Sequence, residues 1–256
     1  MEQIFQSLEA KIFIFFFIFF RILLFIFIFP LFATVFIPDK IKIALALVLA
    51  LLLTPIINFD LPKLNNLYII LIIFFFEFLL IFIIALIFRF ILAGIQLGGE
   101  LVGIQMGFGI SQTMDPISGF SLPIISEFVY IIFFLFFFTF NFHHYLIYFL
   151  FESFQKIPPG SFLLTENLGI FLMKKGGLIF TISLKFLAPL LVFMFLIYIT
   201  LGILGRIIPQ MNVLFVSFPL TIGLGLLFFG LMLTFFPKVI THYIEQYFKI
   251  LGVVFK

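Results

Sequence analysis

The stretch LGGELVGIQMGFGISQTMDPISGFSLPIIS, Leu97–Ser126, decides how the whole chain is read. It interrupts long apolar runs with Gly98, Gly99, Gly103, Gly107, Gly109 and Gly119, the acids Glu100 and Asp115, and the prolines Pro116 and Pro123. Glycine-rich, proline-broken, acidic backbone is tolerated at membrane depth only where it is buried in protein or lines a polar cavity. The segment therefore marks the expected functional region, and the flanking runs read as the scaffold that holds it.

Those runs dominate the composition. Of 256 residues, 65% are hydrophobic and 10% charged, with a mean hydropathy of +1.40. A soluble domain carries roughly 45–50% apolar and about 25% charged residues, so an all-α integral membrane protein is the class that fits. The formal charge of +3 is small and dispersed, which argues against a nucleic-acid partner. The absence of cysteine removes disulfides, thiolate metal sites and cysteine nucleophiles. MEQIFQSLEA has two acids and no base ahead of the first apolar run, so the start reads as a retained span rather than a cleaved signal.

A span needs about 20 predominantly apolar residues, and six segments are candidates: Ile12–Ile37, Ile41–Ile57, Leu67–Leu92, Ile124–Phe151, Gly177–Leu204 and Val213–Phe236. The first two form a hairpin closed at Pro38 and Asp39, and residues 93–112 continue the third span as an interior helix. The Gly-rich interrupted segment falls between the third and fourth. Breaks at PDKIK, NFDLPKLNN, QKIPPG and RIIPQMN are helix stops, because proline lacks a donor and clashes with the preceding turn. No soluble domain is visible, so residues 1–256 read as one membrane domain. With both ends in the cytoplasm, the short loops on that side hold Lys11, Lys63, Lys156, Lys174, Lys175, Lys238, Lys249 and Lys256, against Lys40, Lys42, Arg89 and Arg206 opposite; this is the orientation a positive-inside bias predicts.

Several residues invite chemistry. Gly99, Gly103 and Gly107, four apart, share one helix face and let another backbone approach, either within the chain or at a subunit contact. Arg21, Glu77, Arg89, Glu100, Glu127, Lys185 and Arg206 lie in or beside spans, where a charge costs about 2.5–3.5 kcal/mol. Internal ion pairing is one account of them, and a polar conduit or partner contact the other. Met106, Phe108, Ile110 and Met114 sit among Gly107, Gly109 and the Asp115–Pro116 break. They read either as core filling or as a deformable apolar plug, since hydrophobic constrictions gate by excluding water. His143 and His144 lack further ligands at metal spacing, and no catalytic motif occurs. No metal or cofactor is expected. A small-solute secondary transporter binding cations at Glu100, Asp115 and Glu127 is the rival reading.

The same residues carry a resemblance. GELVGIQMGFGISQTMDP, Gly99–Pro116, resembles the signature of the FliR family of flagellar export-gate proteins, whose injectisome relatives are called SctT. LGILGRIIPQMNVLFVSFPLTIGLG, Leu201–Gly225, is similar to that family's Gly-x-x-x-Arg-x-x-Pro-Gln-x-Asn followed by Phe-Pro-Leu. Arg21, Pro30, Pro38, Lys42 and Pro55 resemble its first hairpin, Glu77 its acidic third span, FNFHHYLIYFL its Asn-Gly-His segment and Pro189 the proline of its fifth span. Phe142, Gly205 and Ile81 depart from the pattern, where Gly, Asn and Gly are usual.

The resemblance implies a non-enzymatic subunit of the type III export apparatus in the bacterial inner membrane, within the flagellar basal body. Its implied partners are FliP-like and FliQ-like subunits, FlhB-like and FlhA-like proteins, unfolded export substrates and the lipid membrane. It further implies that the loop at Gly107–Leu122 plugs the channel, and that Gly99, Gly103, Gly107, Arg206, Pro209, Gln210 and Asn212 serve helix packing or subunit contacts. In such an assembly not every hydropathic segment crosses lipid. Arg21, Glu77 and Glu100 are the charges expected to be buried.

Overall fold

A computed structural model describes the chain except residues 1, 35–36, 58, 60–66, 110–123, 163–165, 209, 211 and 255–256; the side chains of 2–10, 67, 166–167, 214 and 253–254 are also outside it. The described residues form helices α1 (Glu2–Ile28), α2 (Asp39–Leu53), α3 (Leu67–Met106), α4 (Ile124–Thr139), α5 (Phe142–Lys156), α6 (Glu166–Gly176), α7 (Leu178–Ile207), α8 (Val213–Met232) and α9 (Phe236–Val254). The all-α membrane class read from composition holds.

Six expected spans become four helices long and apolar enough to cross a membrane: Lys11–Ile28, Tyr68–Met106, the Leu168–Ile207 run and Phe215–Met232. The α4–α5 pair would make a fifth, but it is broken where Asn141 takes a left-handed conformation at φ 57°, a region asparagine tolerates better than bulky residues do. At 15 residues, or about 22 Å, α2 falls short of a crossing. The first span ends at Ile28 rather than Ile37, because Pro30 disfavours helix at Phe29. Residues 93–106 do extend α3, giving 40 residues and about 60 Å. That is twice the hydrocarbon thickness of about 30 Å, so part of α3 needs cover other than a single lipid layer.

Two compact units make up the chain. The first comprises Met1–Arg89, Asn141–Met173 and Tyr247–Lys256. Its core takes one stripe of α1, namely Phe17, Ile18, Ile22 and Phe25, continued by Phe29 just past its end, with Leu80, Ile84 and Phe88 of α3. Phe29 and Phe88 pack with ring centroids 4.7 Å apart, and Tyr247 stands edge-on to Phe88. The Tyr247 hydroxyl donates to the Ile84 carbonyl at 3.2 Å, and complete burial raises its pKa well above the usual tyrosine value. The α1–α2 hairpin is closed by Lys42, which donates to the Thr34 carbonyl, pairs with Asp39 and lies over the Phe27 ring.

The second unit comprises Phe90–Phe140 and Lys174–Gln246. Here glycines set the spacing. A Cβ on Gly94 would stand 2.8 Å from Ile182 Cβ and 2.9 Å from the Ile179 carbonyl, and one on Gly98 3.0 Å from the Ser183 carbonyl. α3 therefore lies backbone-close to α7. α4 seats its first turn on α3 in the same manner: a Cβ on Gly99 would be 2.8 Å from Ser126 Cα, and the Ser126 hydroxyl donates to the Gln96 carbonyl at 2.9 Å.

α6 and α9 lie outside the six expected segments. α9 is amphipathic: Phe236, Ile240, Tyr243, Ile244, Tyr247 and Leu251 are buried, while Lys238, His242, Glu245 and Lys249 form an exposed stripe. That is the i, i+4, i+7, i+11 spacing of one helix face.

Gly94→Leu should destabilise by about 1–3 kcal/mol through overpacking, lowering the melting midpoint followed by circular dichroism in detergent. Gly223→Ala, where nothing lies within 4 Å, should instead raise stability by about 0.5–1 kcal/mol through helix propensity. Equal midpoints for Gly94→Leu and the unaltered chain would contradict the α3–α7 approach.

Candidate functional site

Two arrangements of polar and small residues stand out, one in each unit. In the first unit, Arg21 of α1 is 0% exposed and Glu77 of α3 is 1% exposed. The guanidinium meets the carboxylate side-on, Nε donating to Oε2 and Nη2 to Oε1 at 2.8 Å. Nη1 donates to the Ser153 carbonyl at 3.0 Å and to its Oγ at 3.3 Å, and Nη2 to the Ile157 carbonyl at 2.9 Å. These five bonds match the five N–H donors of arginine. The Phe154 ring covers the remaining face at 4.5 Å. Ser153 and Ile157 lie at the C-terminal end of α5, where a cation is favoured by the helix dipole; the Ser153 carbonyl also accepts from the Ile157 N–H at 3.0 Å. Arg21 thus caps α5 while pairing with α3.

In the second unit, the end of α3 is shaped by glycine. Gly107 has φ 97°; its N–H bonds to the Ile104 carbonyl and the Phe108 N–H to the Gly103 carbonyl, both at 3.0 Å. This is a Schellman stop with glycine at the left-handed position. The stripe Gly99–Gly103–Gly107 therefore divides: Gly99 and Gly103 are buried on the helix, whereas Gly107 lies past its last residue. That last residue is Met106, 0% exposed. Its side chain fills the space over Gly225 of α8, where a Cβ would stand 2.7 Å from Cε and 2.8 Å from Cγ. The Met106 carbonyl shares the Thr221 hydroxyl proton with the Phe218 carbonyl, each at 3.2 Å, and the Phe218 ring lies against Gly107. Met106, Thr221 and Gly225 form a latch that holds α3 to α8.

Phe108 and Gly109 are half-buried, while Ile110, Met114, Asp115 and Pro116 lie outside the described residues, as does Pro209. Both ends of the segment are nevertheless seated in the second unit: the start by the latch, the far end by Ser126 on Gly99. Glu100 is half-buried, and Glu127, Arg89, Lys185, Arg206 and Gln210 are exposed. Asn212 is an exposed N-cap whose Oδ1 accepts from the Phe215 N–H at 3.4 Å. Among the described residues no group of three His, Cys, Asp or Glu is placed to hold a metal.

The cage residues Ser153 and Phe154 and the latch partner Thr221 carry no sequence signal of their own, whereas Phe218 belongs to the Phe-Pro-Leu motif and Gly225 closes the Leu201–Gly225 stretch; Gly223 meets nothing within 4 Å.

A family model described as bacterial export proteins, family 1, matches residues 12–247. The chain is 32% identical over 160 residues to a flagellar biosynthetic protein FliR of Pectobacterium carotovorum, covering 62% of this chain and 61% of that relative. It is 30% identical over 217 residues to FliR of Buchnera aphidicola subsp. Baizongia pistaciae, covering 82% and 81%. It is also 29% identical over 147 residues to the secretion system apparatus protein SsaT of Salmonella typhimurium, covering 57% and 54%. The matched stretch thus spans about three fifths of the length of some curated relatives and four fifths of others.

Arg21→Met alone leaves Glu77 buried without its partner and should cost about 3–5 kcal/mol, read as a fall in the melting midpoint. The joint R21M/E77L change removes both charges and should recover most of that loss. A double variant as unstable as the sum of the single ones would show that the two side chains do not act as a pair.

Proposed function

The chain belongs to family 1 of the bacterial export proteins, and on that premise we propose that it is a core, non-enzymatic subunit of the flagellar type III export gate. In this reading it assembles with FliP-like and FliQ-like subunits in the bacterial inner membrane, at the flagellar basal body. Together they form the channel through which unfolded flagellar proteins are secreted across the inner membrane. FlhB-like and FlhA-like proteins join the same apparatus. The names of the FliR relatives support the flagellar assignment, and the likeness to SsaT supports an injectisome gate as the second reading.

The observation that carries the gating role is the latch at the end of α3. A closed gate must stop ions and yet let a polypeptide pass, so its obstruction has to be dry, locally held and displaceable. In our reading the obstruction is the segment Gly107–Leu122, with Phe108, Ile110 and Met114 as the apolar seal and the Asp115–Pro116 break as its turn. The supporting geometry is at its two ends. Met106 is fixed against Thr221 and Gly225, and α4 starts on Gly99, about 10 Å back along α3. Residues 107–123 have a contour length of about 56 Å, far more than that separation demands. The anchors are small contacts, one methionine in a glycine hollow and the hydroxyl bonds of Thr221 and Ser126, rather than a second ion pair.

Gly99 and Gly103 together with Arg206, Pro209, Gln210 and Asn212 are assigned to packing and subunit contacts. The exposure of Arg206, Gln210 and Asn212 at the α7–α8 connection leaves them available to a partner. Broad exposed apolar faces, including Phe13 and Phe16 on α1 and Phe195 and Leu196 on α7, suit burial against lipid or neighbouring subunits, since in lipid helix association rests on packing and hydrogen bonds rather than on hydrophobic burial.

Replacing Gly107–Leu122 with a short Ser-Gly linker should raise ion leak across the membrane in cells or in proteoliposomes holding the assembled gate. Normal conductance together with normal secretion would count against the plug role. Co-purification with FliP-like and FliQ-like subunits tests the assembly independently, and its failure would remove the gate assignment.

A further inference from the structure

Lys185 occupies an unusual place for a helix apolar enough to cross a membrane. It lies seven residues beyond Leu178, about 10 Å along α7, inside the run Leu168–Ile207, and it is exposed. The 30 residues of α7 measure about 45 Å, the thickness of a bilayer with its headgroups. A residue about 10 Å from the end of such a helix falls near the boundary between headgroups and hydrocarbon. Among the described residues no carboxylate pairs with Lys185 or with Lys238.

α9 brings its polar stripe to the same place. Lys185, Lys238, His242 and Glu245 line a crevice of about 520 Å³. Lys185 also lines a second, almost wholly apolar crevice of about 500 Å³, walled by Pro189 of α7, Phe228, Leu231 and Met232 of α8 and Phe235 in the turn that follows. Val239 borders both. Each has the size of a small-molecule site, about 300–1,000 Å³. The polar part presents two ammonium groups and one carboxylate, and the apolar part begins at the Lys185 stem and runs toward the next turn of α7. Thr241 adds no donor, because its hydroxyl is bonded to the Pro237 and Lys238 carbonyls.

We propose that this double crevice binds one membrane phospholipid, its phosphate held between Lys185 and Lys238 and an acyl chain laid along Pro189, Phe228, Leu231 and Phe235. Charge complementarity selects the occupant: two cations against the single Glu245 carboxylate leave a net positive mouth on a greasy cleft, which matches a phosphodiester joined to a hydrocarbon tail. The location selects its source, because a cleft beside a helix apolar enough to cross a membrane is open to lipid. Basic pockets beside transmembrane helices recognise lipid headgroups by this arrangement. A lipid seated there would fix the start of α9 against the α7–α8 hairpin.

The test is native mass spectrometry of the full-length chain, delipidated in mild detergent and titrated with dioleoyl phosphatidylglycerol. The unaltered chain should retain one lipid, and K185Q/K238Q should weaken that retention about tenfold or more. K249Q, on the same exposed stripe but outside the crevice, should retain it unchanged. Undiminished retention in K185Q/K238Q, or an equal loss in K249Q, overturns the proposal, as does displacement of the lipid by excess inorganic phosphate. A phosphatidylglycerol carrying a photoreactive group in mid-chain supplies a readout needing no variant. Its adducts should concentrate on Phe228–Phe235, and adducts spread evenly over the exposed apolar residues would refute the site. Neither measurement depends on export, so the gate reading and the lipid site fail separately.

Discussion

A fully satisfied guanidinium in an apolar interior is the constraint on which the first unit depends. Phenylalanine and isoleucine surround α1 on every side, and in lipid such surfaces are nearly interchangeable. Direction has to come from groups that cannot be left unpaired. Arg21 supplies it: five donors, a bidentate carboxylate from α3, two carbonyls from the end of α5 and an aromatic lid. An isolated buried charge would be far costlier than any rearrangement of the helices around it, so the three elements share one register. The stripe of α1 that faces inward is the one that contains Arg21.

The second unit uses the opposite device, removal of atoms. Gly94 and Gly98 bring α3 backbone-close to α7, Gly99 admits the start of α4, and Gly225 leaves the hollow that Met106 fills. Where van der Waals packing rather than water exclusion drives association, close approach has outsized value. Gly107 serves a different end, since its left-handed conformation stops α3 and turns the chain away from the helix. One glycine-rich motif therefore encodes close packing along its helix and termination at its end. The same contacts that stop α3 also define where the proposed obstruction begins.

Around that frame, polar groups are sparse and their placement is informative. The Arg21 cage is closed and structural. Lys185 and Lys238, by contrast, line an open cleft beside Glu245 and form no ion pair with it.

Residue order alone carries the membrane class, the hairpin at Pro38, the break between the third and fourth runs, the burial of Arg21 and Glu77 though not that of Glu100, which is half-buried, and the family. These follow from composition, from proline and glycine positions, and from the rarity of charge in apolar runs, all of which are local properties. It did not determine which face of each helix is inward, because segments apolar all round have no moment to read. Nor could it divide Gly99 and Gly103 from Gly107, pair Arg21 with Ser153 and Ile157 some 130 residues away along the chain, or find α9, whose polar stripe lowers its hydropathy. Only the tertiary structure decided those, since each depends on which distant backbone comes within reach of a donor or of a missing Cβ.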